Sequence, residues 1–252
     1  MVQALARGMD ILSILERKGS ATVTEIAKEI NVDKSTVSRL IMTLKEYDMV
    51  RLDLINKKYR LGLRILYLGD CIHRTIDVAS IARPYLHKLC ESIGESVHLA
   101  VVSNGMLYII DQIRSKREYN LAAHIGMIEP WHCSSVGKCV LAHKPPSYVE
   151  RVLDEQELTE RTPKTITNRE KLTAELDLIR QKGYAIDDEE VVLGVRCVAV
   201  PIFNYNGQVN YSIGVSGPKA HMTQTRLEEY IKKMMKYGSQ ISEELGYGRF
   251  NK

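Results

Sequence analysis

The 252-residue chain predicts an α+β fold in two domains: a winged helix-turn-helix over residues 1–62, joined by a linker helix over 63–80 to a larger mixed domain over 81–252. Three observations carry this reading. Residues 22–51 contain two short amphipathic helical patterns around a turn. From Val97 onward, short apolar strands with Asn-Gly turns alternate with helical segments, the pattern of helices packed on an antiparallel sheet. Formal charge is also divided unequally, with 13 Lys+Arg against 9 Asp+Glu in residues 1–75 and 22 of each in residues 76–252.

The N-terminal elements follow from local chemistry. Leu5, Met9, Leu12 and Ile14/Leu15 recur at helical spacing and predict a first helix with those residues inward. Thr22 and Glu25 have capping-box spacing, and Ile26, Ala27 and Ile30 form the apolar stripe of a second helix. Asn31-Val32 breaks it, and Asp33 can cap a third helix. There Val37, Leu40, Ile41 and Leu44 follow i, i+3, i+4, i+7, which leaves Lys34, Ser35, Thr36, Ser38 and Arg39 facing outward. A helix-turn-helix presents that part of its second helix to base edges in the major groove of double-stranded DNA. Val50 to Asp53 and Lys58 to Leu61 read as two strands of a wing whose Lys57, Lys58 and Arg60, like Lys34, would meet phosphate. Arg39 has a plainer alternative, a surface salt bridge with Glu46 or Glu16.

The linker helix begins near Leu61 and is apolar on more than one side through Leu63, Ile65, Leu66 and Leu68, as expected of a helix that also packs on a partner. A further helix is expected from about Ile81, with Pro84 in its first turn, to Ile93, where Gly94 stops it. Val97–Ser103 and Met106–Arg114 form a hairpin about Asn104-Gly105. Helices follow at about Ser135–His143, Ser147–Leu153, Arg169–Lys182 and Thr223–Leu245. Strands are expected at Tyr184–Asp187, Val198–Asn204 and Gln208–Ser216.

Composition bounds the function. No run of about 18 apolar residues is present, so no membrane-spanning helix is expected. Five scattered cysteines (71, 90, 133, 139, 197) and the lack of a secretory pattern point to a reducing cytoplasm. No P-loop, Gly-x-Gly-x-x-Gly or His-Glu-x-x-His motif occurs, and no cofactor is implied. The excess of +4 lies wholly on the helix-turn-helix segment, where phosphate contacts would be needed. It is modest, so a single module would bind weakly and an oligomer is expected.

Several blocks, quoted in order, resemble the IclR family of bacterial transcription regulators. They are the helix-turn-helix itself; Gly126-Met-Ile-Glu-Pro-Trp-His-Cys-Ser-Ser-Val-Gly-Lys-Cys-Val-Leu-Ala142; Gly183-Tyr-Ala-Ile-Asp-Asp-Glu-Glu190 with Gly194-Val-Arg-Cys-Val-Ala-Val-Pro201; and Ser216-Gly-Pro218. The likeness covers about residues 4–245. It implies a GAF-like effector-binding domain, dimers often paired into tetramers, operator binding and response to a metabolite. By the same resemblance, Ser135 and Val136 lie in the effector pocket wall, and Asp187, Cys197 and Ser216 line it, with Val195 and Gly214 as weaker matches.

Beside the resemblance stands a reading of the residues themselves. Ser134 or Ser135 can cap the helix that begins there, and a helix N-terminus suits an anion such as a carboxylate. The expected effector is therefore a small organic acid or sugar acid, with Asp187 accepting from its hydroxyls. Plainer readings stand beside these: an N-cap serine, a core Cys197, and a solvated acidic turn at Asp187–Glu190. The expectation is a DNA-binding repressor whose operator affinity is modulated by that effector, and not an enzyme. Two alternatives are a metal-binding or Cys-dependent enzyme built on Cys139 and His143 with His132 or Cys133, and a sensor acting through a protein partner.

Overall fold

The computed structural model describes residues 2–75, 77–116 and 123–248, with the side chains of 70–77 left aside. Two compact units divide at Ile76/Asp77.

In the first unit, α1 (Gln3–Lys18), α2 (Val23–Glu29) and α3 (Lys34–Glu46) pack around Ile11, Ile14, Leu15, Ile26, Val37 and Ile41. The capping box forms as expected: Thr22 accepts from the Glu25 N–H, and the Glu25 carboxylate accepts from the Thr22 N–H at 2.7 Å. Asn31, at φ 51°, turns the chain into α3. The inward face of α1 matches the expected one in part. Ile14 and Leu15 are buried as expected, with Ile11 beside them, but Leu5 and Met9 are 67% and 56% exposed. The Leu5–Met9 stripe is rotated off the face that meets α3, so it stays uncovered on the single chain. Strands β1 (Val50–Leu52) and β2 (Tyr59–Leu61) pair antiparallel with Arg51 opposite Arg60, and an Ala21–Tyr59 bridge fastens this wing to the chain entering α2. The helix read as 63–80 is α4 (Leu63–Thr75), which belongs to this unit; Leu63, Leu66 and Tyr67 on it are exposed.

The second unit is built on a six-stranded antiparallel sheet in the order β5-β4-β3-β8-β7-β6. Helix α5 (Asp77–Ile93) begins four residues before the expected Ile81, so Pro84 lies inside the helix rather than in its first turn. Gly94, at φ 73°, ends it. Strands β3 (Ser96–Ser103) and β4 (Met106–Ile113) turn at Asn104-Gly105, both at positive φ. The two-residue β5 (Ile128–Glu129) had no counterpart in the sequence reading, because two residues carry no alternation to detect. Helices α6 (Ser135–Ala142), α7 (Pro146–Glu155) and α8 (Arg169–Lys182) pack on one face of the sheet, through Val136, Val140, Leu141, Val152, Leu172 and Ile179 against Ala100, Leu107, Ile109, Ala185 and Ala199. Strands β6 (Ala185–Asp188), β7 (Val195–Phe203) and β8 (Val209–Pro218) complete the sheet, and α9 (Gln224–Glu244) closes the chain. α5 and α9 cover the other sheet face, and Gly238 of α9 lets that helix approach Val200.

Candidate functional site

The exposed face of α3 is prepared by its own N-cap. Asp33 accepts from the Thr36 N–H at 2.8 Å and from the Ser35 and Thr36 hydroxyls at 2.5 and 2.7 Å. These bonds hold its carboxyl well below the usual carboxylate range. Ser35 and Thr36 thus spend their hydroxyl hydrogens on the cap and keep only lone pairs for a ligand. Lys34, Ser38 and Arg39 are exposed on the same turns. Arg39 lies 3.5 Å from the Thr36 hydroxyl oxygen and pairs with neither Glu46 nor Glu16 among the described residues. In the wing, Lys57 is exposed at φ 55°, while Lys58 sits 3.9 Å from Glu25 and Arg60 is held by Asp53 at 2.9 Å. The sequence reading did not single out Arg51, which stands opposite Arg60 and is exposed.

The second unit contains a cavity of about 280 Å³. Its floor is a cross-strand row. Asp187 on β6 is opposite Cys197 on β7, and Cys197 is opposite Ser216 on β8. Residues two positions apart on a strand share a face, so the neighbouring row Ala199–Gly214–His98 lies on that face too. The roof is the N-terminus of α6. Ser134 accepts from the Gly137 N–H at 3.0 Å and donates to the Pro130 carbonyl at 2.8 Å. The N–H groups of Ser135 and Val136, in the first turn, have no intrahelical acceptor. Ser134, Ser135, Val136, Asp187, Val195, Cys197 and Ser216 all line the cavity.

Gly214 plays a different part, below His98. A Cβ there would stand 2.2 Å from His98 Nε2, so the strand needs glycine to admit the imidazole. Gly214→Ala is expected to lower stability by about 1–3 kcal/mol, the usual cost of overpacking a core. Thermal unfolding measures this; an unchanged midpoint would show that the ring has slack.

His98 and Glu129 also line the cavity, and the sequence reading missed both. For His98 the signal was a polar residue inside the apolar run Val97–Val102; for Glu129 it was an acid just before Pro130. His98 is buried, which pushes its pKa down to about 4 and leaves the ring neutral at neutral pH. Glu129 is buried and its carboxyl is pushed up by desolvation, with Asp187 adding to the effect.

The acidic run Asp187–Glu190 is not a solvated turn. Asp187 and Glu190 are 2% and 7% exposed. Asp187 Oδ1 accepts from the Glu190 and Val191 N–H groups at 2.7 and 3.3 Å, yet burial still pushes its pKa up to about 6. Glu190 pairs with Lys138, a wholly buried lysine of α6 that lies 3.8 Å from Glu175. Burial, with Asp187 and Glu175 near, pushes Glu190 up to about 7 against the pull of Lys138. Asp188 and Glu189 are tied down as well. Arg196 holds Asp188 through two 2.9 Å bonds, and Lys219 pairs with both acids.

The residues of the enzymatic alternative have other partners. His143 Nδ1 is 2.8 Å from the Cys139 carbonyl, and burial pushes the Cys133 and Cys139 thiols up to about 12, away from the thiolate a nucleophile needs. The described residues hold no group of three His, Cys, Asp or Glu able to take a metal ion. None of their helices is long and apolar enough to cross a membrane.

Comparison with known proteins fits this geometry. The IclR helix-turn-helix domain matches residues 4–54, and the bacterial transcriptional regulator IclR C-terminal domain matches residues 71–243. The chain is 32% identical over 250 residues to the transcriptional repressor IclR of Escherichia coli, covering 98% of this chain and 90% of that protein. It is 31% identical over 241 residues to the HTH-type transcriptional regulator BhcR of Paracoccus denitrificans, covering 96% and 86%. The crystal structure of Thermotoga maritima IclR superposes with a TM-score of 0.82 at 31% identity, over 98% of this chain and all of the other. With one matched domain on the helix-turn-helix and the other on the sheet that carries the cavity, the chain belongs to the IclR family of bacterial transcriptional regulators.

Proposed function

We propose that this regulator is a cytoplasmic repressor that leaves or engages its operator according to whether a small organic-acid or sugar-acid effector occupies the second unit. The observation that carries the reading is the cavity between the Asp187–Cys197–Ser216 row and the N-terminus of α6. Free N–H groups at a helix N-terminus suit a carboxylate. The coupling is a population shift: an effector that prefers one arrangement of the chain depletes the other. Coupling of about 1–3 kcal/mol changes occupancy several-fold or more. Residues 1–62 act as the DNA-binding domain, 63–80 as the linker helix and 81–252 as the effector domain. A homodimer, or a tetramer of two, supplies the second recognition helix. The uncovered apolar residues Leu5 and Met9 on α1, and Leu63, Leu66 and Tyr67 on α4, support association.

On DNA, Ser35, Thr36, Ser38 and Arg39 read bases, whereas Lys34, Lys57, Lys58 and Arg60 meet phosphate. Arg39→Ala is expected to cost about 1–3 kcal/mol of operator binding and to relax specificity at one base pair. Lys57→Ala is expected to weaken all sequences alike and to flatten the salt slope by about one. Salt-dependent binding assays on operator and scrambled duplexes measure both, and equal loss on every duplex for Arg39→Ala removes it as a reader. Footprinting on DNA upstream of the protein's own gene, with and without candidate acids, tests the whole reading. No protected sequence, or protection that no small molecule alters, rejects it.

A further inference from the structure

The cavity has an unusual charge balance for a site that takes an acid. Two buried carboxyl groups, Glu129 from β5 and Asp187 from β6, line it, and among the described residues no lysine or arginine does. The nearby cations are engaged or lie elsewhere. Lys138 is held by Glu190, and Arg161, whose charge is felt at Glu129, lines a neighbouring cleft and not this one. A simple carboxylate entering here would meet two groups of its own sign, with only neutral N–H and O–H donors to compensate. An independent observation bears on the same cavity. His98 is 3% exposed, and its Nδ1 has no hydrogen-bond partner. His98 itself lines the cavity, and an unsatisfied buried ring nitrogen calls for a partner that the chain does not supply.

We propose that the effector is an α-amino acid or a close analogue, whose carboxylate lies on the free N–H groups of Ser135 and Val136 while its ammonium group sits between Glu129 and Asp187. This rests on the reading of the cavity as the effector site. The two subsites are adjacent because Glu129 lies close to Ser134, the N-cap of α6, and both line the cavity. The charges of an α-amino acid are adjacent in the same way. A neutral His98 has one acceptor nitrogen, which can take a hydrogen of the ammonium group. The apolar walls Met127, Val136, Val191, Val192 and Val195 leave room for a small uncharged side chain, and 280 Å³ limits its size.

The experiment titrates the full-length protein with the twenty L-amino acids and with the matched 2-hydroxy acids (lactate for alanine, 2-hydroxyisovalerate for valine, 2-hydroxyisocaproate for leucine). Thermal shift, calorimetry and operator release are the readouts. At least one amino acid is expected to bind and to alter operator affinity. Its hydroxy acid should bind at least about tenfold more weakly, because charge-assisted bonds to two carboxylates are lost. Glu129→Gln should weaken the amino acid by about tenfold and strengthen the hydroxy acid, as one repelling carboxylate is removed. Opposite signs in one variant exclude simple misfolding. A hydroxy acid that binds as tightly as its amino acid, or a Glu129→Gln variant that weakens both alike, overturns the amine while leaving the cavity as an effector site. No binding from either panel, with operator binding intact, overturns the amino-acid proposal, and footprinting with sugar acids then decides the effector reading by itself.

Discussion

Lys138→Met is expected to destabilise the second unit by about 3–5 kcal/mol at pH 8, since it removes one partner of a buried ion pair and leaves the other uncompensated. The lysine is fully enclosed, and the carboxylates nearest it are Glu190, Glu175 and Asp187. The loss should shrink as the pH falls to 6. Burial already raises the folded pKa of Glu190 to about 7, and the charge and hydrogen bond of Lys138, which oppose that rise, both vanish in the variant. A carboxyl with a raised folded pKa binds a proton that the unfolded chain releases. Its unfavourable burial is therefore absent below the unfolded value near 4.5 and fully felt only above the folded value. In the variant that ceiling moves above 7, so the pH-dependent part of the loss develops above about pH 7, at no more than about 1.4 kcal/mol per pH unit. Urea unfolding at pH 6 and pH 8 measures the difference. Adding Glu190→Leu should restore most of the stability at pH 8, because an apolar pair of similar size avoids the desolvation of both charges. A single variant that loses less than about 1 kcal/mol at pH 8 would mean that the pair is solvated.

What was legible in the sequence was what local chemistry determines. The capping box at Thr22 and Glu25, the Asp33 cap and the Val37/Ile41 stripe involve residues at most four apart, and they occur as read. The Asn104-Gly105 hairpin is equally local. α1 was only half legible. Its helical period is real, but period alone does not say which side meets α3, and Leu5 and Met9 fell on the other side. Pro84 misled for a related reason. A proline favours the first turn of a helix but is tolerated deeper, and here α5 extends N-terminally past it.

In the cavity, resemblance supplied the row Asp187–Cys197–Ser216, and strand register explains why these distant residues meet. The Lys138–Glu190 pair spans 52 positions, and nothing in either local segment announces it. The run Asp187–Glu190 reads as a surface turn because four acids in a row are usually solvated. Within β6 the pleat sends Asp187 towards α6 and Asp188 away to Arg196, and Glu190, past the end of the strand, is held inside by buried Lys138. His98 shows the same limit. Its strand position fixed which face it lies on, but only the missing side chain at Gly214, 116 positions later, makes room for the ring.

Gly62→Ala is the corresponding test in the first unit, and its expected result is loss of that unit's fold. A Cβ at Gly62 would stand 1.9 Å from the Asp48 carbonyl oxygen and under 3 Å from two further backbone atoms. These atoms cannot rotate away as a side-chain tip can. The Asp48 carbonyl accepts from the Arg64 N–H, and the Gly62 N–H donates to Met49 at 2.8 Å, so wing, turn and the start of α4 are joined at one point. The cost is about 3 kcal/mol or more. For a unit of this size that is a fall in the unfolding midpoint of about 12–24 °C. Operator binding should fail with it. Gly8→Ala makes the control in the same unit. Nothing lies within 4 Å of a Cβ there, and its place inside α1 favours alanine by about 0.5–1 kcal/mol. Opposite signs from two identical substitutions would tie the effect to the Asp48 contact rather than to glycine as such. If Gly62→Ala instead unfolds at the wild-type temperature, the wing and α4 do not close on each other as the backbone distances require.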